Sequence, residues 1–198
     1  MRVTKAQAQA NRAHIVETAS ALFREHGYDG VGVAELMAAA GFTHGGFYKH
    51  FRSKADLMAE TAASGLSQSL AMTGDMDLAK FISVYVSRAH RDGRSAGCTM
   101  AALCGDAARQ SDDVKATFAA GIEDMLAVLG GDDAAPQDAA PQDADPQRAR
   151  AKRIDLLAHV IGAVALSRAC PDDSPLADEI LEACRSELLA SLAPKAAA

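Results

Sequence analysis

The segment from Val33 to Phe51 constrains the fold of this 198-residue chain more than any other part of it. Its first half repeats apolar residues at the spacing of one buried helix face, namely at Val33, Leu36, Met37 and Ala40. A tight turn is predicted at Gly41 and Phe42, and Thr43 is a favourable N-cap for a second helix. Two short helices joined in this way form a helix-turn-helix, whose second helix can lie in a DNA major groove. The segment therefore predicts a DNA-binding motif.

Gly45 and Gly46 fall in the first turn of the predicted second helix. Each costs about 1 kcal/mol relative to Ala in a helix interior. A local cost of this kind is expected where the backbone must come close to another molecule. The N–H groups at a capped helix start also suit a phosphate. The two glycines therefore strengthen the prediction of a nucleic-acid contact.

Charge is distributed unevenly along the chain. The formal net charge of −6 argues at first against a nucleic-acid partner. Residues 1–54, however, carry a balance of +3 and four of the six histidines, whereas residues 55–198 carry −9. A basic part attached to an acidic part suits a DNA-binding protein with a separate sensing or assembly domain.

The residues from Thr43 to Lys54 read Thr-His-Gly-Gly-Phe-Tyr-Lys-His-Phe-Arg-Ser-Lys, and they follow an amphipathic helix that ends in Leu22, Phe23 and Gly27. This arrangement resembles the DNA-binding domain of the TetR family of bacterial transcriptional repressors. The resemblance covers roughly residues 11–60, and beyond that segment it is one of architecture only.

The resemblance implies a homodimeric repressor that leaves a near-palindromic double-stranded DNA operator when an unknown small-molecule effector binds. It divides the chain into a helix-turn-helix DNA-binding domain at residues 1–54 and an effector-binding and dimerisation domain at residues 55–198. The helix capped by Ser53, with Asp56 completing a weaker capping box, would join the two domains and move with the effector. Two DNA-binding domains on half-sites about 34–36 Å apart, or a multiple of that, would supply the specificity that one motif lacks.

The resemblance also assigns DNA contacts residue by residue. Tyr48, His50 and Lys54 match positions whose side chains hold phosphates, and all three can donate to phosphate oxygens. The positions that face the groove are matched by Thr43, His44, Gly45, Gly46 and Lys49. Of these, His44 and Lys49 can reach base edges.

Two other features of this segment bear on the prediction. Phe47 and Phe51 are expected to be packing residues that fix the second helix of the motif. At Gly32 and Val33 the chain departs from the family, which usually has Thr there to cap the first helix. One contact to the DNA backbone is therefore expected to be missing or to be made by N–H groups alone.

No segment alternates apolar and polar residues with period two, so the chain is predicted to be all-α with about nine helices. The first helix is predicted over residues 11–26, after a flexible arm at residues 1–10. A strongly amphipathic helix is predicted over residues 78–89. The last two helices are predicted at about residues 148–169 and 174–192.

Residues 130–147 form a low-complexity tract in which Ala-Ala-Pro-Gln-Asp nearly repeats. Proline at every fifth position forbids a regular helix, and the aspartates keep the segment solvated. We predict a disordered Pro/Asp/Ala-rich loop that carries no site.

For the effector pocket, the resemblance suggests the space enclosed by the fourth to eighth helices. The candidate lining residues are Phe81, Tyr85, Met100, Leu103, Phe118, Met125 and His159. Methionine and aromatic residues at helical spacing also suit a plain core, and this alternative stays open.

The resemblance further implies that the last two helices form a four-helix interface with a second copy. Residues expected to permit close apposition are Gly162, Ala163, Leu181, Cys184 and Leu188. The alternative is that these stripes complete the core of a single subunit.

Cys98 follows Gly97 at a predicted helix start, a position that favours a reactive thiolate. One alternative function is therefore a thiol-based redox or electrophile sensor that uses Cys98 and Cys104. A second alternative, a small helical enzyme with Cys98 as nucleophile, lacks a base at an obvious spacing. A third is a helical dimeric adaptor that does not bind DNA.

The remaining expectations are absences. The sequence shows no Cys-x-x-Cys pair, no signal peptide and no apolar run approaching the ~18 residues of a membrane span. We therefore expect a soluble cytoplasmic protein with reduced thiols and no membrane partner. No catalytic residue, cofactor or metal site is predicted.

Overall fold

The computed structural model describes residues 4–74, 76–130 and 145–192. These residues form nine α-helices and one 3-10 helix without any strand, which confirms the all-α prediction. The elements are α1 (Lys5–His26), α2 (Val33–Ala39), the 3-10 helix (His44–Lys49), α3 (Lys54–Thr73), α4 (Leu78–Tyr85), α5 (Arg88–Asp92), α6 (Thr99–Ala107), α7 (Asp112–Val128), α8 (Pro146–Arg168) and α9 (Pro175–Leu192).

The described residues fall into two compact units. Unit 1 holds those within residues 1–69 and 94–121, and unit 2 holds those within residues 70–93 and 122–198. The predicted division at residue 54 concerns which part binds DNA and which part binds an effector, and it stays a prediction.

Unit 1 is built around α1, which buries Ile15, Ala19 and Phe23. The predicted packing role of Phe47 and Phe51 is confirmed, because both rings are buried with their centroids 5.4 Å apart. Burial of such rings removes a large apolar area from water. This core fixes the 3-10 helix in unit 1.

The first helix begins six residues earlier than predicted. Thr4 is its N-cap, and the Thr4 side chain accepts a hydrogen bond from the Gln7 N–H at 3.1 Å. A flexible arm is therefore wrong for residues 5–10, where alanine and glutamine favour helix. Residues 1–3 of that predicted arm lie outside the described residues.

The single helix predicted over residues 78–89 is also wrong. α4 ends at Tyr85, and α5 begins at Arg88. Ser87 caps α5 by accepting a hydrogen bond from the His90 N–H at 3.1 Å. An apolar stripe alone cannot show such a break, but a serine inside the stripe is a cap signal.

The loop predicted at residues 130–147 lies mostly outside the described residues, from 131 to 144. Its last part is wrong, because α8 already begins at Pro146. Asp145 caps this helix by accepting from the Gln147 N–H at 2.9 Å. Proline is favourable in the first turn, where its missing N–H has no helical partner to lose.

Unit 2 contains the packed pair α8 and α9. Three of the residues predicted at a subunit interface, Ala163, Leu181 and Leu188, are buried within this unit. They therefore belong to the core of one subunit, which was the alternative. Gly162 and Cys184 remain partly exposed.

Candidate nucleic-acid interface

The second helix of the motif is a 3-10 helix from His44 to Lys49 rather than an α-helix. Thr43 occupies its N-cap position, but the Thr43 side chain makes no capping hydrogen bond. The Thr43 carbonyl instead accepts a hydrogen bond from the Gly46 N–H at 2.9 Å. A 3-10 helix is tighter than an α-helix and is used in short pieces. Two glycines lower the stability of the α-helical alternative here.

One face of the 3-10 helix is exposed. The predicted groove-facing residues on it are Thr43, His44, Gly45 and Lys49. Tyr48 is 66% exposed, and its ring makes edge contacts to Phe47 at 5.3 Å and to His44 at 6.2 Å between centroids. The structure thus brings two predicted DNA contacts together beside the buried Phe47.

The two glycines differ in their surroundings. A side-chain carbon added to Gly45 would meet no atom within 4 Å, so this position is open. A carbon added to Gly46 would lie 3.5 Å from the Met37 side chain, which places Gly46 against α2. Gly45 is therefore the position where another molecule can approach the backbone.

His50 ends the 3-10 helix, since its N–H donates to the Phe47 carbonyl at 2.9 Å. Its half-buried imidazole lies among aromatic rings, with centroids 6.5 Å from Phe42 and 6.3 Å from Phe51. The imidazole is therefore positioned by packing at the edge of the motif.

Lys54 has an internal partner that sequence reasoning missed. Its ammonium donates to the Tyr28 carbonyl at 2.5 Å and lies 5.8 Å from the centre of the Phe23 ring. An ammonium has three donors, so this bond leaves capacity for a phosphate. Lys54 thus links the start of α3 to the loop after α1.

The start of α3 confirms the predicted cap. The Asp56 N–H donates to Ser53 Oγ at 3.1 Å, and Asp56 accepts from the Arg52 N–H at 3.2 Å. The Arg52 guanidinium also binds Asp56 at 2.9 Å, and these hydrogen bonds hold the pKa of the Asp56 carboxyl below its usual range. Arg52 is an exposed cation beside the motif that sequence reasoning did not single out.

The departure predicted at the start of α2 is confirmed. Gly32 is the N-cap there and provides no side-chain hydrogen bond. Any phosphate contact at this helix start would depend on backbone N–H groups.

The candidate sensor cysteines lie on α6 and at its start. Cys98 is the N-cap residue and is buried. Burial, followed by the neighbouring Cys98, raises the pKa of Cys104 to about 11. Cys104 is therefore a protonated thiol at neutral pH, which argues against it as the reactive group. A sensing role for Cys98 stays a prediction.

The predicted effector residues are divided between the units. Met100, Leu103 and Phe118 are buried in unit 1, whereas the others are in unit 2: Phe81, Tyr85 and Met125 buried, and His159 partly exposed. Unit 2 also contains a cavity of about 720 Å³ lined by five leucines, three basic residues, Asp155 and Ser191, and by none of the seven predicted residues. Which residues bind an effector stays a prediction.

Two further features are absent from the described residues. None of the helices there is long and apolar enough to cross a membrane. In the same residues, no group of three or more histidine, cysteine, aspartate or glutamate side chains is arranged to hold a metal ion.

The comparisons with known proteins point to one family. The family described as bacterial regulatory proteins, tetR family, matches residues 15–61. The HTH-type transcriptional regulator AcrR of Shigella flexneri is 42% identical over 59 residues, which are 30% of this chain and 27% of that protein. The chain therefore spans little more than a quarter of the length of the curated relatives it matches.

Solved structures extend the likeness to the whole fold. A TetR transcriptional regulator from Chloroflexus aurantiacus J-10-FL is 25% identical, with a TM-score of 0.70 over 94% of this chain and 96% of that chain. AibR in complex with isovaleryl coenzyme A and operator DNA is 16% identical, with a TM-score of 0.56 over 90% of this chain and 98% of that one, and shows the fold alone. The resemblance noted in the sequence is thereby confirmed: residues 15–61 match the tetR family of bacterial regulatory proteins, and the fold is that of a TetR transcriptional regulator.

Proposed function

We propose that this chain is a sequence-specific DNA-binding repressor that acts as a homodimer and leaves its operator when a small molecule binds. The observation that carries the proposal is the exposed face of the 3-10 helix. Tyr48, Lys49 and His44 lie on that face, while Phe47 holds the helix in the core of unit 1. Donors on a fixed, exposed helix face are what groove and phosphate contacts need.

The residues on this face divide into two roles. Tyr48, His50 and Lys54 bind phosphates and so fix the register of the motif on the duplex. His44 and Lys49 read base edges, with lysine donating to guanine acceptors. At Thr43 and Gly45 the backbone can approach the groove, whereas Gly46 lets the 3-10 helix approach α2.

Dimerisation is supported by large apolar side chains that are exposed on the last two helices. Leu166 is 61%, Leu176 52% and Ile154 47% exposed, and pairing with a second copy would remove such side chains from water. A side-chain carbon added to Gly162 would meet no atom within 4 Å, so α8 leaves room for a second helix there. In the proposed dimer, these exposed side chains replace the buried residues that sequence reasoning assigned to the interface.

The effector part of the proposal is supported by the cavity in unit 2. A volume of about 720 Å³ lies within the range that holds small organic ligands. We expect a small molecule that raises the melting temperature of the protein also to release a bound duplex. Release requires the ligand to bind the DNA-free conformation more tightly than the DNA-bound one, because a ligand shifts an equilibrium only by its difference in affinity for the two states.

The experiment that tests the proposal is duplex binding by four single variants at one fixed salt concentration. Tyr48→Phe removes a phosphate donor, so it should weaken binding to every sequence by a similar factor. Lys49→Ala and His44→Ala should relax specificity, since a good base contact is worth about 1–3 kcal/mol of discrimination. Lys80→Ala removes an exposed lysine of α4 in unit 2 and serves as the matched control with wild-type affinity.

Two results would contradict the proposal. Equal losses from Tyr48→Phe, Lys49→Ala and His44→Ala on every sequence would exclude direct readout by this helix. A wild-type protein that binds no duplex even at low salt would favour the adaptor alternative.

A further inference from the structure

Tyr28 is held on both sides of its backbone. Its N–H donates to Asp106 Oδ2 of α6 at 3.1 Å, and its carbonyl accepts from the Lys54 ammonium at 2.5 Å. The Tyr28 ring is fully buried and packs edge-on against Phe23 at 5.1 Å between centroids. Because Asp106 and Lys54 both bind the Tyr28 backbone, a shift of one of these side chains affects the other.

The approach of α6 to this backbone is close and depends on Gly27. Gly27 ends α1 at a φ of +77°, and a side-chain carbon there would lie 2.6 Å from Asp106 Oδ2. Only glycine adopts this conformation at little cost and leaves the space that the carboxylate occupies. The other carboxylate oxygen of Asp106 accepts from Arg109 at 3.3 Å, which orients the group.

Lys54 has a flexible side chain that would lose freedom on binding DNA. Here the bond to the Tyr28 carbonyl and the position above the Phe23 ring hold its ammonium before DNA arrives. Two ammonium donors remain for phosphate oxygens. Fixing a flexible side chain in advance lowers the cost of ordering it in the complex.

We propose that Asp106 is a positioning residue for operator binding, which acts through the Tyr28 backbone to set where the Lys54 ammonium meets a DNA phosphate. The inference rests on the proposed function, because it requires Lys54 to contact DNA. It also runs against simple electrostatics, since an acidic side chain in a DNA-binding protein is expected to weaken binding by repulsion.

The test compares Asp106→Ala with Asp112→Ala, using the full-length protein and one fluorescent duplex. Both variants remove one carboxylate, and Asp112 is a fully exposed residue of α7. Asp112→Ala should leave affinity unchanged or slightly higher, whereas Asp106→Ala should lower it about three- to tenfold. Asp106→Asn keeps an oxygen that can accept from the Tyr28 N–H and should retain most of the affinity.

A double-mutant cycle separates positioning from a general loss of structure. If Asp106 acts through Lys54, Asp106→Ala should cause no further loss in a Lys54→Met background. The magnitude of the slope of log affinity against log salt should decrease by about one in Asp106→Ala and in Lys54→Met. In the variant that combines both substitutions it should decrease by no more than that. Thermal melts identify the temperature at which every variant is folded. If Asp106→Ala does not fold, the test uses Asp106→Ser instead. The serine side chain is one bond shorter than that of aspartate, so its oxygen does not reach the position of the carboxylate oxygens.

The outcomes that overturn the inference differ from those that overturn the proposed function. Wild-type affinity of Asp106→Ala, or an equal loss from it with and without Lys54, overturns the positioning role alone. Failure of the wild-type protein to bind any duplex overturns the proposed function and the positioning role together.

Discussion

At the scale of single residues, Arg91 of unit 2 has the most demanding environment. Its side chain is 1% exposed, and it donates to Ser167 Oγ at 3.1 Å, to the Cys170 carbonyl at 3.0 Å and to Asp172 at 2.9 Å. Arg168 donates in return to the Arg91 carbonyl at 2.9 Å. A buried guanidinium is tolerated only when its donors are used in this way. Arg91 therefore fastens α5 to the end of α8 and the turn that follows.

Replacing Arg91 by methionine should be strongly destabilising. Arg91→Met keeps a long side chain but leaves the buried hydroxyl and carbonyl oxygens of Ser167 without the Arg91 donors, so the free energy of unfolding should fall by about 1–3 kcal/mol for each of these acceptors. Arg150→Ala is the matched control, because Arg150 and its partner Glu123 are both exposed, and such a pair contributes at most about 1 kcal/mol. Urea unfolding of both variants measures the difference. Similar losses from the two variants would show that Arg91 is not a structural centre of unit 2.

Residues such as Arg91 and Asp106 show where sequence reasoning ends. The motif from Thr43 to Lys54 could be predicted because its contacts are local. Tyr28 and Asp106, by contrast, meet across 78 positions, and Arg91 reaches Ser167 across 76. Side-chain bonds between such distant positions leave no periodic pattern along the chain. For Lys54, sequence reasoning likewise predicted only a contact to DNA. Its partner within the protein is the backbone carbonyl of Tyr28, and residue types do not identify a backbone acceptor.

At the scale of secondary structure, Gly65 of α3 lies close to side chains of α6 and α1 in unit 1. A side-chain carbon at Gly65 of α3 would lie 2.2 Å from Thr99 Oγ1 and 3.1 Å from Arg24 Nη1. Arg24 is itself bound to Ser20 Oγ at 2.6 Å and to the Ser95 carbonyl at 2.7 Å. The glycine is therefore a spacing requirement rather than a flexible point.

Two glycine-to-alanine variants should change stability in opposite directions. Gly65→Ala forces α3 away from its neighbours and should lower the free energy of unfolding by about 1–3 kcal/mol. Gly105→Ala, in the interior of α6, meets no atom within 4 Å and should raise it by about 0.5–1 kcal/mol. Thermal and urea unfolding measure both. A neutral or stabilising Gly65→Ala would contradict the close approach of these helices.

Helix existence was easier to predict than helix boundaries. The apolar stripes of α8 and α9 located these helices to within a few residues, because burial follows helical periodicity. Boundaries depend on single hydrogen bonds instead, such as those made by Thr4, Ser87 and Asp145. The 3-10 geometry at Gly45 and Gly46 also depends on a balance of small local terms. The spacing of apolar residues along the sequence carries no information about that balance.

At the scale of the whole molecule, the proposal needs two copies of the exposed helical face. One such face contacts only a few base pairs, whereas a two-fold pair can read a near-palindrome. The exposed side chains of Leu166 and Leu176 support such a pair. The acidic balance of residues 55–198 would keep that part of the chain away from phosphates and leave DNA contact to the basic residues.

The most direct test of this account is the affinity of the protein for a near-palindromic duplex, selected with the protein itself, as a function of salt concentration. We predict that log affinity falls linearly with log salt, with a slope of about −0.9 for each phosphate contacted. A duplex that carries only one half-site should bind far more weakly at every salt concentration. An affinity that does not change with salt, or equal binding of the half-site and the full site, would contradict the account.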